Sequence, residues 1–195
     1  MSETLRPPDL SHMTFPFDFD TERTGFSDEA YAAVGRALAF ATRFEANCRA
    51  LAQLLHIRPM IAEKGIAILD DDVFITNVVA FLRRPLKKNL SQVCKWKYHN
   101  HKLSEDTASI LAAGREARNL IAHEITLSVP DTIQTDSGRA KLMSMLQAAV
   151  QPIAEADRIV CLITHVETHE PLPTAVTYDT YIQRITDWVC DVPHI

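Results

Sequence analysis

The sequence predicts an all-α protein, an antiparallel bundle of four to six helices joined by short links. Apolar residues recur at steps of three and four through most of the chain after Ser27, which is the spacing of one helix face. Only 5 of the 195 residues are glycine, which disfavours a turn-rich β-sandwich. Hydrophobic residues make up 47% of the chain and charged residues 23%, so we expect a globular protein with a packed core.

Residues 1–26 are predicted to form an extended arm, and residues 27–195 a single helical domain. Prolines interrupt regular helix in the arm, and three phenylalanines fall within five residues there, at Phe15, Phe17 and Phe19. Because aromatic side chains so close together are unfavourable in water, we expect the arm to lie across the body of the protein or across a partner subunit.

Capping residues and prolines divide the first part of the helical domain. Ser27 is expected to cap a long first helix, whose end is marked by Pro59 and Gly65. The three acids of Asp70–Asp72 precede a β-branched stretch that would allow a strand, but aspartate caps favour a helix there. Pro85 is expected to kink or break this second helix.

The middle of the chain predicts two further helices. One is expected over about Leu86–Tyr98, and the next begins at the capping residue Ser104 and runs to about Glu124. The stretch Ile125–Val129 alternates polar and apolar residues, so a short strand stays open as an alternative.

Two amphipathic stretches complete the bundle. Apolar residues repeat at helical spacing over Leu142–Ile163, and Pro152 inside that stretch predicts either a kink or the start of a fresh helix. A last helix, with Tyr181 and Val189 on its apolar face, is expected after a proline-marked loop.

Positive charge is concentrated in one segment of an otherwise acidic chain, whose net charge is −5. No acid lies between Arg83 and Leu103, and this basic segment holds seven of the 20 basic residues: Arg83, Arg84, Lys87, Lys88, Lys95, Lys97 and Lys102. Aromatic rings lie among them, at Trp96, Tyr98, His99 and His101. Cations interleaved with aromatic rings are typical of single-stranded RNA binding, through phosphate neutralisation and base stacking. The other interpretation is a solvated helix face with Trp96 in the core.

A polar stripe is predicted on the helix that begins at Ser104. Its members follow the i, i+3, i+4, i+7, i+8 spacing, and they are Arg115, Arg118, Asn119, Ala122 and His123. Two guanidinium groups, an amide and an imidazole with only a small alanine between them are the composition expected of a site for an anionic ligand.

The run from Arg118 to His123 resembles the signature of the HEPN (higher eukaryotes and prokaryotes nucleotide-binding) family. That signature is an arginine, four to six intervening residues and a histidine late in a long helix, with a polar residue directly after the arginine, here Asn119. The resemblance covers about residues 104–124 by motif. It implies a metal-independent endoribonuclease that needs no cofactor.

The family's chemistry assigns roles to three residues of the motif. His123 is expected to act as general base or acid on the ribose 2′-hydroxyl, since an imidazole both accepts and donates protons near neutral pH. Arg118 is expected to stabilise the transition-state charge, and Asn119 to orient the phosphate or His123. The products would be a 2′,3′-cyclic phosphate and a 5′-hydroxyl. Arg115 and the seven basic residues of the basic segment are expected to bind the RNA.

The resemblance also implies partners. HEPN ribonucleases typically form homodimers whose motifs line one cleft, so acid and base would come from two copies of His123. Such proteins are commonly toxins or antiviral effectors held in check by a cognate antitoxin. The alternative function is a non-catalytic helical module that binds a nucleotide, an RNA or a protein, in which Arg118 and His123 serve the structure.

Other features bear on compartment and metal binding. Four dispersed cysteines form no CxxC pair, and no apolar run reaches the ~20 residues of a membrane span, so a reducing, cytoplasmic setting is expected. The start of the chain lacks the layout of a signal peptide.

His165 and His169 are four positions apart, a spacing that can chelate a metal when the segment is helical, so a metal-binding helical bundle is a third hypothesis. Because the helix is expected to end there, we predict no metal site.

Overall fold

The computed structural model describes residues 25–133 and 135–190, and this part of the chain is a bundle of α-helices. The bounds of its helices are α1 Gly25–Lys64, α2 Asp72–Leu82, α3 Leu86–Val93, α4 Glu105–Leu120, α5 Thr126–Thr132, α6 Asp136–Thr168 and α7 Ala175–Cys190. A short 3₁₀ turn precedes α2, at Ile66–Asp70. The predicted arm lies outside the described residues, apart from its last two positions, which belong to α1.

The first helix begins earlier than the sequence predicts, and it ends directly before Gly65, one of the two residues expected to mark its end. It begins at Gly25, two residues before Ser27, and it runs through Pro59. A proline removes one backbone hydrogen bond but leaves the bonds of the neighbouring turns, so it does not by itself end a long, well-packed helix. The end comes at Lys64, because Gly65 takes a φ of 76°, a left-handed conformation that favours glycine.

Local capping explains the start of α2, as predicted. The carboxylate of Asp71 accepts hydrogen bonds from the backbone N–H groups of Val73 and Phe74, at 2.8 and 3.0 Å. Pro85 separates α2 from α3 and directly precedes the first residue of α3.

The prediction of one helix over Leu86–Tyr98 is wrong in its second half. α3 ends at Val93, and a two-residue antiparallel hairpin follows, with β1 Lys97–Tyr98 paired to β2 His101–Lys102. The two residues between these strands, His99 and Asn100, have φ values of 46° and 71°. Two successive positive φ values are the geometry of a type I′ turn, in which asparagine is favoured.

One continuous helical segment carries the predicted polar stripe. The hydroxyl of Ser104 caps α4 by accepting from the backbone N–H of Thr107 at 3.1 Å. A wide π turn, Ile121–Ile125, joins α4 to α5 without leaving helical conformation, so the strand alternative for Ile125–Val129 is wrong. With α4 and α5 counted as one rod, the described residues form six helical rods, within the predicted range.

The core forms around α6, which packs against α1, α4 and α7. Its buried side chains include Leu146, Ile153 and Val160, and they face Phe40 and Phe44 of α1 in one continuous apolar cluster. Pro152 lies inside α6, so no fresh helix starts there. Among the described helices, none is both long and apolar enough to cross a membrane.

Gly114 allows α4 and α6 to approach closely, and we expect its replacement by alanine to destabilise the protein. An added Cβ would lie 2.4 Å from the Cβ of Ala156 and 3.2 Å from the carbonyl oxygen of Pro152. Overpacking of this kind costs about 1–3 kcal/mol. Gly35 in α1 provides the control, because a Cβ there meets nothing within 4 Å.

Urea unfolding of the two alanine variants measures this difference. Gly35→Ala is expected to raise the free energy of unfolding by up to about 1 kcal/mol, the helix propensity difference, while Gly114→Ala lowers it. Equal stabilisation by both substitutions would show that the α4–α6 contact is not tight at Gly114.

Candidate anion-binding site

A cleft of about 390 Å³ opens where α4 faces α3 and α1. It is lined by three cations, two carboxylates, one amide and two apolar side chains: Lys87, Arg115, Arg118, Glu45, Glu116, Asn119, Pro85 and Leu86. The positive charges outnumber the negative ones by one in this lining. The cleft therefore has the composition of a site for an anion rather than for an apolar ligand.

The α4 side of the cleft follows directly from helical spacing. Arg115, Arg118 and Asn119 stand at i, i+3 and i+4, so their side chains share one side of the helix, as the sequence predicts. Lys87 comes from a different part of the chain, the first turn of α3. The N-terminal end of a helix carries a partial positive charge, which adds to that of Lys87. Tertiary packing thus adds one residue of the basic segment to the polar stripe.

Arg118 is held by two neighbours rather than left free in solvent. Its side chain is 23% exposed, and its Nη2 forms an ion pair with the Oε2 carboxylate oxygen of Glu45 on α1. Its Nη1 donates a hydrogen bond to Oδ1 of Asn119 at 3.2 Å. Glu45 also accepts from Nη2 of Arg49 at 3.1 Å, so one carboxylate bridges two guanidinium groups.

The other two cations of the cleft, Arg115 and Lys87, differ in whether a carboxylate is paired with them. Arg115 is ion-paired with the adjacent Glu116, which is largely exposed, so that pair is weak in water. Lys87 is exposed and has no ion-pair partner among residues 25–133 and 135–190. An anion can therefore bind Lys87 without displacing a carboxylate.

His123 lies one turn beyond the cleft and does not line it. Its imidazole is exposed, and it makes no hydrogen bond within the part of the chain that the structure describes. Five residues of α-helix would place His123 about 140° around the axis from Arg118. The π turn holds one more residue than an α turn, so each residue in it advances by a smaller angle and His123 moves back toward the side of Arg118.

The π turn is supported by local side-chain bonding. The hydroxyl of Thr126 donates to the backbone carbonyl of Ala122 at 3.0 Å, and that of Ser128 donates to the carbonyl of Ile125 at 3.0 Å. These bonds provide donors for carbonyl groups in a stretch where the regular i→i+4 ladder is interrupted. The sequence pattern of Arg118 and His123 does not indicate a π turn.

The rest of the basic segment lies away from the cleft. Arg84 is half-buried over the ring of Phe81, 4.0 Å from its centroid. The other cations outside the cleft lining are exposed, and they are Arg83, Lys88, Lys95, Lys97 and Lys102. Three of these five lie in or beside the hairpin. The cations of the basic segment are therefore divided between the start of α3 and the hairpin.

The aromatic residues of the basic segment also divide into two kinds. Trp96 is half-buried against the core, and its indole N–H donates to Oε1 of Glu167 at 2.8 Å. Tyr98 remains 51% exposed, with its ring centroid 6.0 Å from that of Trp96 and 4.2 Å from that of His99. Tyr98 is therefore exposed to solvent together with His99 and His101, whereas Trp96 is packed against the core.

The later histidines are not arranged as metal ligands. Arg58 bonds Glu167 at 2.5 Å and contacts Nε2 of His169 at 3.1 Å, so a cation already occupies the space between the acid and the imidazole. Across residues 25–133 and 135–190, no group of three or more histidine, cysteine or acidic side chains could hold a metal ion. The hypothesis of a metal site at His165 and His169 therefore has no geometric support among the described residues.

The sequence did not single out Glu45, which is the residue that holds Arg118. Its partner lies 73 positions further along the chain, so no local spacing connects them. The available signal was weak: Glu45 is a charged residue directly beside buried positions of α1, between Phe44 and Cys48. A carboxylate at the edge of an apolar face indicates a partner, but it does not indicate which one.

A second polar cluster, centred on Asp157 of α6, is buried in the core. The Asp157 carboxylate is fully buried and accepts from Asn47 at 2.8 Å and from the hydroxyl of Tyr181, while Arg43 lies 3.6 Å away. Burial, followed by the charge of Asp157, raises the pKa of Tyr181 and raises that of Cys161 to about 11.

Cys161 is expected to react slowly with iodoacetamide in the folded protein. Its pKa of about 11 lies above the reference value of 9.0. At pH 8 its thiolate fraction is then about 100-fold below that of the unfolded chain. Since the folded pKa is raised, the stability from this thiol is full below pH 9.0, the reference pKa, and is lost as pH rises through about 11.

Peptide mass spectrometry after timed labelling, with and without urea, measures the difference in Cys161 reactivity. Labelling of Cys161 at the unfolded rate in protein that is still folded would contradict the burial of this thiol.

Comparison of the chain with protein-family models, with curated proteins and with solved structures found no match.

Proposed function

We propose that this chain is a metal-independent endoribonuclease of the HEPN type that acts as a homodimer. The observation that carries the proposal is the placement of Arg118. It is half-buried and held in fixed geometry at the wall of a cationic cleft, with Arg115, Asn119 and Lys87 beside it and His123 on the same helical segment. A planar guanidinium with free N–H donors in such a cleft suits a phosphate group.

The proposed reaction is an internal phosphoryl transfer. The imidazole of His123 accepts the proton of the ribose 2′-hydroxyl while the 2′-oxygen forms a bond to phosphorus. Arg118 donates to the non-bridging oxygens, where negative charge increases in the transition state. The bond from phosphorus to the 5′-oxygen breaks, and that oxygen takes a proton from the partner subunit's His123. The products are a 2′,3′-cyclic phosphate end and a 5′-hydroxyl end.

A second subunit is part of the proposal for a geometric reason. The cleft that contains Arg118 has no imidazole in its lining, whereas His123 is exposed beside it. A two-fold contact between α4 segments with its axis midway between Arg118 and His123 would place each His123 close to the Arg118 of the other copy. A ribonuclease of this kind would serve as a toxin or an antiviral effector, restrained by a protein antitoxin.

The test is incubation of the purified protein with a single-stranded RNA oligonucleotide in EDTA, followed by analysis of the product ends. Cleavage in EDTA to 2′,3′-cyclic phosphate and 5′-hydroxyl ends is the expected result. Cleavage that disappears in EDTA would instead require a metal, and cleavage unchanged by His123→Ala or by Arg118→Ala would rule out the proposed mechanism.

A second candidate function is binding of RNA or a nucleotide without cleavage. The observation that favours it is the ion pairing of both cleft arginines with carboxylates, while His123 stays outside the cleft. In that case Lys87 and Arg115 bind phosphate, and His123 is a solvated residue. RNA binding that is weakened by Lys87→Ala, together with intact RNA after prolonged incubation, would identify this function.

A further inference from the structure

We infer that Glu45 is a positioning residue for Arg118, an inference that rests on the proposed function. The ion pair of Glu45 with Arg118 connects the middle of α1 to the cleft wall on α4. The Glu45 side chain is 17% exposed, so this contact is shielded from bulk water more than a surface pair is. Its role is to hold the guanidinium where the phosphate arrives.

The hydrogen bonds of Arg118 leave part of its donor set free for a ligand. An arginine has five N–H donors in a planar fork. Glu45 takes one donor on Nη2 and Asn119 takes one on Nη1, so the plane of the fork is fixed from two directions. The remaining N–H groups stay available to phosphate oxygens. A guanidinium fixed in this way needs no reorientation when the transition state forms.

The second partner of Glu45 limits the repulsion that its charge exerts on a phosphate. Arg49, one turn along α1, donates to the other carboxylate oxygen at 3.1 Å. The negative charge of Glu45 is thus shared between two guanidinium groups. Because Arg49 retains the carboxylate, Arg118 can keep a net positive field toward the cleft while it stays oriented.

Steady-state RNA cleavage by Glu45→Gln tests the inference. The glutamine keeps the shape but loses the charge that holds Arg118, and we expect kcat to fall about 10-fold with KM changed less than 3-fold, because the lost interaction acts on the transition state. Glu63→Gln, the same charge change at an exposed site near the end of α1, is the matched control with unchanged kcat. Unchanged or higher kcat in Glu45→Gln would overturn the inference.

Chemical rescue by guanidinium ion distinguishes a positioning role of Glu45 from a merely structural one. Arg118→Ala is expected to regain part of its activity when guanidinium ion is added at concentrations far below those that unfold proteins, because Glu45 can hold the free ion in the vacated place. The double variant Glu45→Gln/Arg118→Ala is expected to show no rescue. Equal rescue in both variants would overturn the inference.

Two further measurements separate the possible failures. If Glu45→Gln does not fold, as judged by thermal unfolding, Glu45→Asp replaces it. The shorter side chain keeps the charge but withdraws it from Arg118, so kcat should still fall, and full activity would contradict the positioning role. If the wild-type protein cuts no RNA in EDTA, the proposed function fails and the role of Glu45 fails with it. If the wild-type protein cleaves RNA and substitution of Glu45 does not change the rate, only the positioning role fails.

Discussion

Replacement of His123 by alanine is expected to lower the rate of RNA cleavage by about 10²–10⁴-fold, the usual contribution of a general acid or base. The imidazole is the one proton-transfer group that the proposed reaction uses, and in the dimer it is used twice. Arg118→Ala is expected to lower the rate by about 10²–10³-fold, the effect of removing a donor to developing charge. Cleavage of a labelled oligonucleotide in EDTA measures both effects.

The His123 variant can be interpreted with few structural complications. Its side chain is exposed and has no hydrogen-bond partner among the described residues, so the free energy of unfolding should change by less than about 0.5 kcal/mol. His169→Ala, at the exposed end of α6, is the matched control and is expected to retain full activity. Dimers of one wild-type and one His123→Ala subunit should retain far less than half of the wild-type activity, because each composite site needs a base from one copy and an acid from the other.

Replacement of Asp157 by alanine is expected to lower the free energy of unfolding by about 2–5 kcal/mol, without any role in the reaction. The substitution leaves the Asn47 amide and the Tyr181 hydroxyl without their acceptor in the interior. A buried donor left unsatisfied costs about 1–3 kcal/mol. The loss of attraction to Arg43 adds little, because that side chain is 54% exposed.

Urea unfolding with unchanged m-values is the appropriate measurement for Asp157→Ala. Asp157→Asn is expected to have a smaller effect, since an amide oxygen still accepts hydrogen bonds. Asp179→Ala, on the exposed side of α7, is the matched control and should change stability by less than about 0.5 kcal/mol. A loss for Asp157→Ala no larger than that of the control would show that the buried cluster does not stabilise the fold.

Features that depend on neighbouring residues could be predicted well from the sequence. The caps at Asp71 and Ser104 act within three residues, and the structure confirms the helices that they begin. The helical bundle itself follows from apolar spacing, and it is confirmed too. The side of α4 that carries Arg115, Arg118 and Asn119 follows from the same periodicity.

Features that depend on competition between local signals were predicted less well. The hairpin at Lys97–Lys102 was missed because its turn chemistry, a histidine and an asparagine at positive φ, lacks the glycine that usually indicates a type I′ turn. Pro59 and Gly65 were both expected to mark the end of α1; the helix ends at Lys64, directly before Gly65, but it runs through Pro59. The loss of one backbone bond there does not prevent the following turns from forming.

The sequence by itself determined that the chain is helical and that an arginine, an amide and an imidazole share one helical segment, because those properties arise from spacing along a single element. Only the tertiary structure decided what surrounds Arg118. Glu45 lies 73 positions earlier and Lys87 comes from another helix, and both reach the cleft through the packing of α1, α3 and α4. Such contacts depend on how helices pack in three dimensions, which the spacing of residues within one helix does not specify.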